Sequence, residues 1–468
     1  LLVSAELRVI LRDTRVMRLA RLIRVPSPLT LLVVCTLIAA ALTYIIPAGE
    51  YDRRSDPLTG RPVVVSGTFH HVPPAPVNAF GAAVAIPRGL IDAASVVFFV
   101  FLIGGAFGVV DKTGALHDGI DWLVRRLGNF GILAIPLVSL AFAAGGALEN
   151  MQEEIIALVP ALLVLTERLG FNPMTAVMMS VGTAAIGSAF SPINPFQVLI
   201  AQKVAHLPQG SGGLFRLVTL ALALALWIGA TIRYARRTRR PVDPASAPPA
   251  SARATHGRGG LVITIVLAAF AVFVWGVMTQ GWDFDQDAGL FFVMGVAAGV
   301  AGGLGIAGTA DAFVEGFRSI AFAAILIGVA RSISVVMTEG HIIDTVVHGL
   351  AAPLASLPAG ASAIAMMAVQ AIVHVPVPSV SGDAVLTLPV LVPLSDLIGL
   401  SRQVTVLAYQ FGAGLCELVT PTNGGLMAIL AAASVRFEDY IRVTARLTLA
   451  IAAFGAACIL IAIAIHLQ

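Results

Sequence analysis

Charge is scarce in this sequence. Asp, Glu, Lys and Arg make up 12% of its 468 residues, hydrophobic residues make up 58%, and the mean hydropathy is +0.92. No soluble domain can hide that much apolar surface, so a soluble enzyme or binding module is excluded. Cysteine is nearly absent. Cys35, Cys416 and Cys458 lie in apolar surroundings with no CxxC spacing, which excludes a disulfide framework or a thiolate metal site and leaves three small hydrophobes. No HExxH, GxSxG or Walker sequence occurs, and the nine histidines are scattered. No cofactor and no nucleic-acid partner are expected. The formal net charge of +3 carries little information, because in a membrane protein the position of each charge decides topology.

Long apolar runs are abundant: Leu29 to Ile46, Leu90 to Val110, Leu214 to Ile232, Leu261 to Val277 and Leu447 to Ile465. Each approaches or exceeds the ~18 residues that mark a spanning helix, so the lipid bilayer is the first partner expected. Orientation follows Arg and Lys. The basic segment 1–28, with Arg8, Arg12, Arg15, Arg18, Arg21 and Arg24, should be cytoplasmic, lying on an anionic membrane face or forming a loose extension. The linker 233–259, with five arginines from Arg233 to Arg240 followed by a Pro/Ala/Ser-rich stretch, should be cytoplasmic too. The polar, Pro-rich stretch from Glu50 to Arg88 should face outside.

The two halves share a signature. Ser191-Pro192-Ile193-Asn194 has a counterpart in Thr420-Pro421-Thr422-Asn423, 229 residues later. The same offset pairs Pro160 with Pro389, Gly170 with Gly399 and Glu154 with Asp383. A constant offset over that distance is an internal duplication, and a prolyl break with polar side chains in each half points to a transporter binding site. Charge parity then gives an all-α polytopic membrane protein of two inverted repeats, with about nine spans and two re-entrant hairpins. The first repeat covers 29–232, with a hairpin at 131–168 and a broken helix at 172–205. A linking helix follows at 260–278. The second repeat covers 288–468, with a hairpin at 361–399, a broken helix at 402–433 and an external C-terminus. The broken helices are expected at the midplane.

Irregular backbone survives at membrane depth only inside protein or beside a water-filled cavity. Freed carbonyls and half-helix ends at the breaks suit a cation or a carboxylate, and Ser191, Asn194, Thr420, Thr422 and Asn423 add neutral ligands. A candidate Na⁺ site comprises Ser191, Asn194, Thr420 and Asn423. The hairpin tips bring Asn150, Ser379 and Ser381, together with Glu149, Glu153, Glu154, Asp383 and nearby Glu417. Carboxylates at depth must be protonated, paired with a cation or hydrated, so this group suits Na⁺ or H⁺ coupling or the cationic end of a substrate. Ser379 and Ser381 could equally cap a helix. The alternative for the first tip is an exposed loop. His374 reads as a core histidine or a proton carrier, and Arg331 as paired with an acidic residue or a substrate carboxylate, or as a snorkelling arginine.

The stretches 187–204 (GSAFSPINPFQVLIAQKV), 418–437 (LVTPTNGGLMAILAAASVRF) and 45–53 (IIPAGEYDR) resemble YfcC-like carriers of the C4-dicarboxylate anaerobic carrier family, within the wider ion transporter superfamily. The resemblance implies a homodimer in a prokaryotic inner membrane, hairpins meeting broken helices, and elevator-type movement. It also implies that Asn194, Asn423 and their flanking Ser and Thr line the substrate and cation sites. The tips here read Glu-Asn-Met (149–151) and Ser-Val-Ser (379–381), a departure from the Ser-Asn-Thr that the superfamily often shows. The expected function is secondary active transport of a small carboxylate-bearing metabolite, an amino acid that could be basic, with a C4-dicarboxylate as the alternative. A channel or an intramembrane enzyme are the readings of another class, and no nucleophile–base or metal constellation favours the enzyme.

Overall fold

The computed structural model describes residues 28–55, 62–116, 118–119, 128–240 and 258–467. The basic N-terminal segment up to residue 27, most of the linker and residues 120–127 lie outside the described residues. Among the described residues, seventeen helices carry the fold. The first half holds α1 (Pro28–Leu42), α2 (Ala79–Asp92), α3 (Ala94–Lys112), α4 (Ala134–Glu149), α5 (Glu153–Arg168), α6 (Pro173–Ala189), α7 (Ile200–Val204, entered through a π turn at Pro195–Leu199) and α8 (Gly213–Thr238). The second holds α9 (Gly259–Trp275), α10 (Phe284–Ala301), α11 (Gly305–Glu339), α12 (Ile343–Ala351), α13 (Ala359–His374), α14 (Val380–Leu397), α15 (Arg402–Cys416), α16 (Gly424–Ala432) and α17 (Phe437–Ala464). Among the described residues, seven helical segments are long and apolar enough to cross a membrane, and shorter apolar helices run over Pro28–Leu42, Pro173–Ala189, Gly259–Phe273 and Ala359–His374. This is a polytopic helical membrane protein.

The expected boundaries shift in informative places. The run from Leu90 begins earlier, because Asn78 caps α2 through Gly81 N–H at 2.8 Å, and α2 continues past Pro87 inside the stretch read as polar and external. Gly305–Glu339 is one helix of 35 residues, α11. It packs along α1, α2 and α3 and reaches α16. Two pairs of arms, α4/α5 and α13/α14, turn through tips at 150–152 and 375–379. The start expected for the second repeat, residue 288, falls inside α10.

The all-helical expectation misses two short antiparallel ladders: β1 (Gly49–Glu50) with β4 (His70–His71), and β2 (Arg53–Ser55) with β3 (Pro62–Val64). Together they form a flap tied to α12. The buried Asp344 carboxylate accepts from Tyr51 N and from Arg53 Nη2, both at 2.8 Å. Glu50 pairs with His341 at 2.5 Å, and the Tyr51 hydroxyl meets His348 Nδ1 at 3.0 Å. Burial, and then the Asp344 charge, push the Tyr51 phenol up to about 12, so it stays neutral. Beneath the flap a cavity of about 300 Å³ reaches Val377 and the first turns of α14 at Gly382, Val385 and Leu386.

Within the first arm pair, α4 touches α6 backbone to backbone. A Cβ on Gly146 would sit 2.0 Å from Ala184 O, and one on Gly187 would sit 2.2 Å from Ala143 O. In the second half, α15 meets α13 the same way at Gly412, 2.3 Å from Met367 O. Backbone carbonyls cannot yield as a side chain can. Gly146→Val should therefore lower stability by at least the ~1–3 kcal/mol of an overpacked core. Gly229→Ala, with open space around it, should be neutral or slightly stabilising. Thermal unfolding of the two purified variants checks this, and equal midpoints would contradict it.

Candidate functional site

Both prolyl breaks are built by the same rule. A helix end leaves backbone N–H or C=O groups without partners, and the polar residues of each break supply them. In the first break Asn194 Oδ1 accepts from Phe196 N (2.9 Å) and Gln197 N (3.0 Å), opening the segment that leads into α7. Its Nδ2 donates to Gly146 O at 2.8 Å, and Ser191 Oγ donates to Ala147 O at 2.7 Å. Those are late carbonyls of α4, so the break closes the end of the hairpin arm beside it. Asn150, in a left-handed conformation at φ 61°, and Gln197, whose Oε1 lies 2.8 Å from Ser188 Oγ, compete for the single hydroxyl proton of Ser188.

The second break repeats the arrangement. Asn423 Oδ1 accepts from Leu426 N at 3.0 Å and caps α16. Thr422 Oγ1 donates to Val375 O at 2.5 Å, just past the end of α13, and lies 2.7 Å from Thr420 Oγ1. Asn423 Nδ2 donates to Gln152 Oε1 at 2.9 Å. Gln152 belongs to the first tip, so one side chain joins the tip of one half to the break of the other. Ser379 caps α14 through Gly382 N at 3.2 Å, and Ser381 is half-buried in the same turn.

Around the second break the charge is negative. Asp383 and His374 are fully buried and Glu417 is 6% exposed. His374 Nδ1 lies 3.6 Å from Asp383 Oδ2, and its Nε2 lies 3.9 Å from Glu417 Oε1. The second Glu417 oxygen accepts from Gln152 Nε2 at 2.6 Å. Glu153 and Glu154 open α5, half-buried and buried respectively. Glu149 closes α4, and its side chain lies outside the described residues. The first tip is therefore packed against the second break and is not an exposed loop.

Around the first break the charge is positive, from a residue the sequence reading passed over. Arg216 is fully buried. Its Nε donates to Gln410 Oε1 (2.9 Å), its Nη2 to Gln403 Oε1 (2.9 Å) and its Nη1 to Ser211 O (3.0 Å). No carboxylate lies within ion-pair distance of it among the described residues. Gln410 passes the contact on, donating to Ser191 O at 2.7 Å and accepting from Gln197 at its backbone oxygen at 3.1 Å. An arginine at the third position of the apolar run Leu214 to Ile232 was the available signal. Arg331 takes no part: it pairs with Asp92 on a partly exposed face between α2 and α11.

A family model described as "C4-dicarboxylate anaerobic carrier" matches residues 25–464. The chain belongs to this family. It is 35% identical to "Putative basic amino acid antiporter YfcC" of Escherichia coli strain K12 over 76% of its own length and 74% of that protein. It is 26% identical to an uncharacterized protein of Haemophilus influenzae over 89% of its own length and 92% of that one. Among solved structures, the Alcanivorax borkumensis YdaH transporter gives a TM-score of 0.42 at 18% identity, covering 94% of this chain and 99% of that one. MtrF of Neisseria gonorrhoeae gives 0.41 at 13%, covering 93% and 95%. The chain is a membrane transporter of the carrier type and not an enzyme.

Asn194→Ala removes a cap and a contact to the end of α4, and Asn423→Ala a cap and a contact to the first tip. Each should cost about 1–3 kcal/mol of stability and abolish uptake in proteoliposomes while insertion persists. Near-normal uptake by both variants would contradict a site at the breaks.

Proposed function

We propose that this carrier moves a small carboxylate-bearing metabolite, with a basic amino acid as the substrate class, by exchange or coupled to a cation. One observation carries the reading. The two breaks differ in charge: buried Arg216 reaches the first through Gln410, and buried Asp383 and Glu417 stand at the second, where Gln152 of the first tip meets Asn423 and Glu417. A ligand with a carboxylate at one end and a guanidinium or ammonium at the other matches that polarity. A C4-dicarboxylate would place one of its two anionic ends against Asp383 and Glu417. The name of the E. coli relative, "Putative basic amino acid antiporter YfcC", supports the amino-acid reading, and membership of a C4-dicarboxylate carrier family supports the alternative.

In this reading the matched breaks and arm pairs are inverted repeats. The arm pairs are re-entrant hairpins meeting the breaks at the midplane, and a transport body moves elevator-fashion in a homodimer. The N-terminus is cytoplasmic and the C-terminus external. The hydroxyl and amide groups of Ser191, Asn194, Thr420 and Asn423 are engaged with the backbone or with neighbouring side chains. A Na⁺ ion at that candidate site would draw on break carbonyls, and H⁺ is the simpler coupling ion.

The test is binding to purified full chain by isothermal calorimetry, with arginine and succinate as probes. Asp383→Asn should weaken arginine roughly 10- to 150-fold, the equivalent of the ~1.5–3 kcal/mol of a charge-assisted hydrogen bond, and leave succinate no weaker. Succinate binding with no response to arginine, in wild type and variant alike, would overturn the amino-acid reading.

A further inference from the structure

His374 sits between two groups that only accept. Its Nδ1 faces Asp383 Oδ2 at 3.6 Å and its Nε2 faces Glu417 Oε1 at 3.9 Å, with all three side chains buried. Neither ring nitrogen, and neither Asp383 oxygen, has a hydrogen-bond partner. A neutral imidazole carries one N–H and one lone pair, whereas an imidazolium carries two N–H groups. Between two ionised carboxylates the neutral ring would aim its lone pair at an anionic oxygen. The arrangement is relieved only by one further proton, on the ring or on a facing acid. Three buried ionisable groups thus share at least one proton beyond the neutral histidine, and the separations of 3.6 and 3.9 Å leave the ring unclamped.

The other neighbours do not neutralise this centre. α15 ends in the Cys416 thiol, which donates to Ala371 O at 3.2 Å, and then Glu417. α5 brings Glu153, which adds negative charge near Glu417. On α12, Asp344 is committed to Arg53 and Tyr51, and His348 to Tyr51. The short helix Ala352–Ser356 has no ionisable side chain, and α17 buries Ile451, Gly455 and Cys458.

We propose that Asp383, His374 and Glu417 form one proton-binding centre, whose exchangeable proton is displaced when the cationic end of a substrate enters between the carboxylates. One positive charge replaces another. The N–H bond of His374 breaks, the proton passes to water, and the incoming guanidinium donates to the two acids. Proton and substrate then exclude each other, which is the requirement for exchange in opposite directions. The inference rests on the basic-amino-acid reading above.

The test measures protons and not transport. Arginine is titrated into weakly buffered, detergent-purified full chain with a pH-sensitive dye present, and binding is followed in parallel by calorimetry. Wild type should release up to about one proton per bound arginine, because linkage is reciprocal. Its arginine Kd should tighten with rising pH, by up to about tenfold per unit, over the pH interval in which that proton release is observed. His374→Gln should bind arginine with proton release largely lost. Equal release in both proteins overturns the centre and leaves the substrate standing. A wild-type Kd that does not change across the interval overturns it without any variant. Succinate binding in the absence of arginine binding overturns both readings.

Discussion

Everything at this site depends on the cost of an unpartnered carbonyl at membrane depth. Backbone groups left bare in hydrocarbon are worth several kcal/mol each, so a helix can stop there only where something donates to its last oxygens. Ser191 and Asn194 do this for the end of α4, and Thr422 does it for the end of α13. Each break is thus also the terminus of a neighbouring arm. The prolines open the helix, and the Asn, Ser and Thr beside them make the opening tolerable for both partners. Neither a break nor a tip would be stable alone.

A second constraint is electrostatic. A buried charge is normally matched by an opposite one, yet Arg216 meets three neutral oxygens and the Asp383–Glu417 pair meets one imidazole. The opposite charges lie at different breaks. Such a separation opposes folding and would be removed by pairing the groups directly.

Much of this was legible in the sequence because it is written as repetition. The Pro-x-Asn pair, the paired arms and the buried acids Asp383 and Glu417 all follow from one offset and from the scarcity of charge. Features without periodicity were harder to read. Arg216 stands inside an apolar run, and only the fold brings Gln403 and Gln410 from 187 and 194 residues away to solvate it. Gln152 is an ordinary tip residue until Glu417 and Asn423 are placed against it. His374 could not be told from a core histidine, because its two carboxylates come from different elements. The flap escaped because strands of two or three residues carry no alternation to read. Asn194 and Asn423 were legible as special residues, but their role as caps depended on where the arms end.

The glycine contacts between α4 and α6 have a mechanical consequence. Where a carbonyl lies 2.0 Å from the position of an absent Cβ, no layer of side chains is left to rearrange. Such an interface has no glide plane. Two helices joined this way inherit each other's displacement, as one link in a linkage. Joints must then be sought where backbone can rotate without shearing a contact, as at Asn150 in its left-handed turn. The smallest residues in the chain thereby decide which parts cannot move separately.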